Sequence, residues 1–173
     1  MDKQSATCHI CGRQAFFYSS YLGKHLCGKH FEKMLVRRVR SVVTTEIGQR
    51  KAFRKVMDGS AAFRFIDFVF RSGESDTTLF NNVLEDFAIA VLGYFVFDEK
   101  PKIAVKSASG VSPLFTTSEK EIENFLKLKK LCGGSVKRRK RDAYVLNMLY
   151  ELEGRRPGGM LSLVKIGRRL GII

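Results

Sequence analysis

The sequence has no tryptophan, three prolines, four cysteines, and only 17 acidic residues against 31 lysines and arginines. It also lacks any apolar run near the roughly 18 residues that a membrane-spanning helix needs, which excludes a span. The N-terminus carries no secretory pattern, so the expected compartment is the cytoplasm. The shortage of acid leaves a net charge of +14. Such a surplus must lie mostly on the surface and favours a polyanionic partner, nucleic acid ahead of an anionic membrane. With tryptophan absent, fourteen phenylalanines carry most of the aromatic content and read as core material. Neither an internal repeat nor a low-complexity linker divides the 173 residues, enough for one domain or one small domain plus a knuckle.

Three of the four cysteines fall in one stretch. Cys8-x-x-Cys11 and Cys27-x-x-His30 stand fifteen residues apart, with Gly12 and Gly28 in the knuckles. A two-residue gap lets one tight turn aim two side chains at a single ion, and Zn²⁺ takes four nitrogen or sulfur ligands tetrahedrally. Four protein ligands leave no open position, so the expected role is structural. The alternative is free thiols or disulfides; a reducing compartment disfavours the disulfides, and the matched ligand spacing disfavours idle thiols. His9 and His25 read as bystanders, and Cys132 is unpaired.

Downstream, Phe31 to about Val43 has a helical pattern, with Phe31, Leu35, Val39 and Val42 on one face and Lys33, Arg37 and Arg40 on another. A second helix is expected over about Glu46 to Asp58, with Arg50, Lys51, Arg54 and Lys55 on its basic side and Gly59 as its stop. Phe63 to Phe70 is nearly continuous in aromatic and β-branched residues and reads as a strand buried on both faces. A loop over 72–78 and a helix over Leu79 to Leu92 follow, with Glu85 and Asp86 early in that helix. A short strand is expected within Phe95 to Val105, and Ser107 to Ser112 reads as a loop. Ser118 and Glu121 form a capping box that opens a helix to about Leu131. A further helix starts in the run Lys137, Arg138, Arg139, Lys140, Arg141 and ends at Gly154, and a last one spans Met160 to about Leu170. Positive charge on a first helical turn opposes the helix dipole, a mismatch that a bound phosphate relieves. The fold class expected is a small α/β or α+β domain, in which an N-terminal zinc knuckle joins helices packed on a short, mostly parallel sheet.

Several of these stretches, taken in order, resemble the PP-loop tRNA thiolation enzymes, the TtuA/TtcA group of 2-thiouridine and 2-thiocytidine synthetases. Cys8 to Ala15 and Leu26 to Phe31 are similar to that family's N-terminal zinc finger and the helix after it. Gly48 to Lys51 resembles its CGxxRR stretch, and Val83 to Ala88 its Asn-Leu-Asp-Asp helix start. Ser112 to Ile122 resembles its KPL…SEKEI segment, and Leu146 to Leu163 its closing helix pair. The family's Ser-Gly-Gly-Lys-Asp-Ser loop, which implies ATP binding, is expected between the first helix and Gly48, where the chain has no room. Two substitutes are Ser72 to Thr77, read as following a strand and opening a helix, and Ser107 to Ser112. Where the family has a CxxC that implies an iron–sulfur cluster or sulfur carriage, this chain has Thr44 and Ile47, and Cys132 matches the third cysteine. The resemblance thus implies a truncated member without the ATP-binding half, with a knuckle over 1–31 and a PP-loop-type remnant over 32–173.

The expectations are therefore a structural Zn²⁺ on Cys8, Cys11, Cys27 and His30, and neither ATP nor an iron–sulfur cluster. The expected function is non-catalytic binding of tRNA or ribosomal RNA. Its phosphate contacts are Lys33, Arg37, Arg40, Arg50, Lys51, Arg54, Lys137, Arg138, Arg139, Lys140 and Arg141. Two alternatives remain: an accessory subunit paired with a full-length thiolase or with itself, and a residual ATP-dependent sulfur transferase using Ser72 to Thr77 and Cys132.

Overall fold

The computed structural model describes residues 6–19, 22–49, 52–134 and 139–173. Two short antiparallel strands, β1 (Phe17–Ser19) and β2 (Lys24–Leu26), pair with Phe17 opposite Leu26. Helix α1 (Gly28–Ile47) follows, burying Phe31, Leu35, Val39 and Val43 at four-residue intervals along one stripe. It stops at Gly48, whose φ of 78° lies in the left-handed region that glycine adopts without steric cost.

No helix spans Glu46 to Asp58 among the described residues. Phe53 is buried and leads into strand β3 (Arg54–Lys55), so the expected basic helix is replaced by the first strand of a sheet. The expected strand over Phe63 to Phe70 is instead helix α2 (Ala61–Val69). Ala62, Phe63, Phe65, Ile66 and Val69 are buried while Arg64, Asp67 and Phe68 face outward, a helical division of faces. A short apolar run does not by its period separate a buried strand from a buried helix. Here the deciding residue is Ser60, whose side-chain oxygen accepts the Phe63 N–H at 3.0 Å and caps the helix.

The chain then runs through 72–77 into strand β4 (Thr78–Leu79), so that loop follows a helix and opens a strand, the reverse of the expected order. Helix α3 (Leu84–Phe97) starts later than expected, where the Asp86 carboxylate accepts the Val83 N–H at 2.9 Å. It occupies part of the segment where a strand was expected, and strands β5 (Lys106–Ser107) and β6 (Gly110–Val111) form where a loop was expected. The sheet order is β3-β4-β6-β5, parallel at its first two pairings and antiparallel at the last. A Cβ on Gly110 would lie 2.0 Å from the Thr78 carbonyl oxygen, so only glycine lets β6 approach β4.

Helix α4 (Glu119–Lys129) opens on the expected capping box. The Ser118 N–H reaches Glu121 at 3.1 Å and the Glu121 N–H reaches the Ser118 hydroxyl at 3.2 Å. Helices α5 (Lys140–Arg155) and α6 (Gly159–Arg169) close the chain, making six helices among the described residues. One apolar cluster joins the knuckle to α1, α2, α4 and one side of the sheet, and a second joins α3, α5 and α6. The molecule is a small mixed α/β domain with short strands, parallel in two of the three pairings of its main sheet. Among the described residues, no helix is long and apolar enough to cross a membrane.

Candidate metal centre and basic groove

The knuckle is shaped by its backbone. The Cys8 N–H donates to Arg13 at 2.7 Å and the Gly12 N–H returns to Cys8 at 2.8 Å, folding Cys8 and Cys11 to the same side. The second pair sits at the start of α1, with Cys27 as its N-cap and His30 in its first turn. The fold brings all four donor atoms within 4.8 Å of one another. Nδ1 of His30 lies 3.5 Å from Sγ of Cys8 and 3.4 Å from Sγ of Cys27, while Sγ of Cys11 and Cys27 are 3.7 Å apart. Metal bonds of about 2.3 Å to sulfur and about 2.0 Å to nitrogen put tetrahedral neighbours roughly 3.5–3.8 Å apart. Three of the six donor–donor distances therefore match the edges of a tetrahedron sized for one ion. All the cysteines are free, so no disulfide competes for these sulfurs.

The electrostatics favour thiolate at Cys8. Burial pushes its thiol up, but the backbone N–H groups of Cys27, Ile10 and Cys11, together with His30, bring it down to about 5. Cys11 is shifted the other way: the Arg13 N–H lowers it, but burial and the sulfurs of Cys27 and Cys8 outweigh that donor. The other histidines are engaged elsewhere. Nε2 of His9 is 2.7 Å from Nζ of Lys24, and the His25 ring packs 4.9 Å from Tyr18.

The expected phosphate contacts separate into three groups. Lys33, Arg37 and Arg40 share the exposed face of α1 and line a groove of about 820 Å³, with Lys29 on the same wall. Arg54 is exposed on the edge strand β3. Arg139, Lys140 and Arg141 are exposed at the start of α5, where Asp142 and Glu99 draw on their charge. Arg141 forks onto Glu99, with one bond of 2.7 Å, and lies 5.3 Å from the Phe97 ring centre. That guanidinium holds the Glu99 carboxyl below its ordinary value. Arg50, Lys51, Lys137 and Arg138 lie outside the described residues.

Sequence reasoning missed Lys29 and Phe68 in the groove. Phe68 had been assigned to a strand; helical spacing over 61–69 is the signal that points it outward. It also missed a strand–loop–helix junction after the first strand of the sheet, at 56–60, hidden by the expected helix there. That junction reads Val56-Met57-Asp58-Gly59-Ser60, with one glycine and no lysine. Asp58 accepts the Ser60 N–H at 3.0 Å. Partial burial raises the Asp58 carboxyl, but Ser60 and Asn81 outweigh burial and lower it. The two expected substitutes do not form such a junction: 72–77 precedes β4, and 107–112 is taken up by the β5–β6 hairpin.

These features define a class: a small mixed α/β domain carrying a Cys/His metal group at its N-terminal end. No family model matches the sequence, and no curated protein matches it. Among solved structures, the chain is similar to the U34-tRNA thiolase NcsA from Methanococcus maripaludis, described with its 4Fe-4S cluster. The TM-score is 0.78 at 13% sequence identity, covering 96% of this chain and 87% of that one. The resemblance to tRNA thiolation enzymes thus holds at the level of the fold. The cofactor expectation is corrected. The neighbouring fold carries an iron–sulfur cluster, and the Cys/His group here offers thiolates of the kind that such clusters take. The expectation of no cluster weighed only Thr44, Ile47 and Cys132, leaving out the knuckle's own thiolates.

Proposed function

We propose a non-catalytic, metal-stabilised RNA-binding protein, with tRNA as its first ligand and ribosomal RNA as the alternative. The observation that carries this reading is the basic groove: Lys29, Lys33, Arg37 and Arg40 repeat along one exposed face of α1 in a chain of net charge +14. Cations at helical spacing track a phosphate backbone, and sequence-independent phosphate contact supplies most of the affinity in such complexes. The fold shared with a U34-tRNA thiolase supports tRNA ahead of other RNAs. Arg54 and the exposed Arg139, Lys140 and Arg141 extend the contact surface in this reading. Cys8, Cys11, Cys27 and His30 hold the metal centre, an iron–sulfur cluster or a single ion, which metal and sulfide analysis of the purified protein distinguishes.

The non-catalytic part rests on the junction at 56–60. A carboxylate stands in that loop, and no lysine is present to offset the charge of a triphosphate. Absence of ATP–pyrophosphate exchange is the expected outcome, and exchange abolished by Cys132→Ser would replace this reading with a residual sulfur transferase.

The RNA reading is tested by titrating the holoprotein with tRNA at several salt concentrations. The expected log–log slope is about −0.7 to −0.9 per phosphate contacted, reduced by about one contact's worth in Arg37→Ala. A flat salt response overturns it. A second reading, pairing with another chain, is favoured by Phe95, Val96 and Tyr144, which are 51%, 59% and 68% exposed. Sizing and copurification with a thiolase test it.

A further inference from the structure

The basic groove has a second wall. Phe68 projects from α2 toward the cations of α1 and lines the same groove, 48% exposed. An exposed aromatic ring in water is ordinary by itself, but this one is held in place. It meets the fully buried Phe125 ring in an edge-to-face pair at 5.2 Å and 71°, and Nζ of Lys129 lies 5.3 Å over its ring on one side, so the ring is anchored to the core with one face left for a ligand. Arg40 donates to the Val69 carbonyl at 3.2 Å, tying the end of α2 to α1 beside the groove. Its volume of about 820 Å³ is that of an open groove with room for a nucleotide-sized group.

Charge alone asks only for a polyanion. A ring fixed opposite the cations of α1 asks for more: a ligand with a flat, apolar face flanked by negative charge. Paired bases are stacked within a helix and cannot present a face to Phe68, whereas an unpaired base can. We propose that this groove binds an unpaired nucleotide of single-stranded RNA, Phe68 stacking on the base while Lys33, Arg37 and Arg40 hold the flanking phosphates. The inference rests on the RNA-binding reading and narrows it to RNA that offers a looped-out or unstacked base. Base-on-aromatic stacking tolerates any base, so the groove selects by strandedness more than by sequence.

The test uses the holoprotein with two RNAs of equal charge at one salt concentration, a 12-nucleotide unstructured strand and a blunt duplex. The single strand is expected to bind more tightly. Phe68→Ala is expected to weaken single-strand binding about tenfold, within what one stacked base contributes, while leaving duplex binding unchanged and Phe68→Tyr restoring it. Should Phe68→Ala fail to fold, the wild-type protein answers the question with 2-aminopurine in the strand, whose fluorescence is expected to quench on stacking. Equal affinity for strand and duplex, unchanged affinity in Phe68→Ala, or unquenched 2-aminopurine would each overturn the inference while leaving RNA binding intact. Displacement by poly-glutamate as effective as by RNA would also overturn it, since charge alone would then account for binding. If neither RNA binds, the RNA-binding reading falls and the inference falls with it.

Discussion

Glu85 is a fully buried carboxyl at the start of α3. Both of its oxygens accept the Glu119 N–H at 3.0 Å, and the Tyr150 hydroxyl lies 3.4 Å away. Burial is the largest influence and raises its pKa. The Glu119 N–H and its own backbone oppose that rise, while the charges of Glu119 and Asp86 add to it, and the result is about 8. Because the folded value lies above the unfolded one of about 4.3, the native state binds the extra proton. The stability tied to that proton is full below the unfolded value and is lost as pH rises through about 8. Stability should therefore fall by up to about 1.4 kcal/mol per pH unit between roughly pH 5 and 8. Glu85→Gln keeps an acceptor for Glu119 and removes the charge. Urea melts at pH 5, 6, 7 and 8 should show a slope in the wild type that is flattened in the variant; equal slopes would mean that Glu85 stays ionised.

Between elements, the buried pair of Arg38 and Glu121 joins α1 to α4. The guanidinium and carboxylate meet at 2.6 Å, their side chains 7% and 5% exposed. The same carboxylate oxygen also closes the capping box of α4. Removing only the cation leaves an uncompensated buried charge. Arg38→Met is expected to cost about 3–5 kcal/mol, and Arg38→Met with Glu121→Gln to recover much of that loss, as read by denaturant melts. A double variant no more stable than the single one would assign the cost to packing. This pair also shows what the sequence made legible. Glu121 was readable as half of a capping box because that signal is local, three residues from Ser118. Its partner on α1 lies 83 positions away and leaves no mark in the pattern. The same limit explains the two elements misread around the first strand. The strands of the main sheet are two residues long, too short for a period, so β3 dissolved into an apparent basic helix, while the apolar run of α2 was too short for its period to separate helix from strand. The cationic stripe of α1 was legible by its spacing; Phe68 across the groove was not, since its role depends on how two helices meet.

For the molecule as a whole, the knuckle is part of the core. Cys8 and Cys27 are 2% and 8% exposed and belong to the same apolar cluster as Phe31, Leu35, Phe65 and Phe125. A metal bound there holds the hairpin, α1 and the face of the sheet beneath α2 and α4 in one piece. Binding free energy at Cys/His structural sites is on the order of 10 kcal/mol, against a net stability of about 5–15 kcal/mol for a typical domain. Losing the metal therefore removes most of the margin. Without it, the sulfurs of Cys8, Cys11 and Cys27 are left crowded together with only backbone N–H groups and His30 to offset their charge. Chelation, or His30→Ala, should lower the melting temperature by well over ten degrees, since one kcal/mol moves it by about 2–4 °C in domains of this size. Hydrogen exchange should accelerate first in β1, β2 and α1, ahead of α3 and α6, which pack in the second cluster. Elemental and sulfide analysis of the purified protein then names the metal, zinc alone or iron with sulfide. Unchanged melting and exchange after complete removal would show that the apolar packing around Phe31 holds the knuckle without any metal.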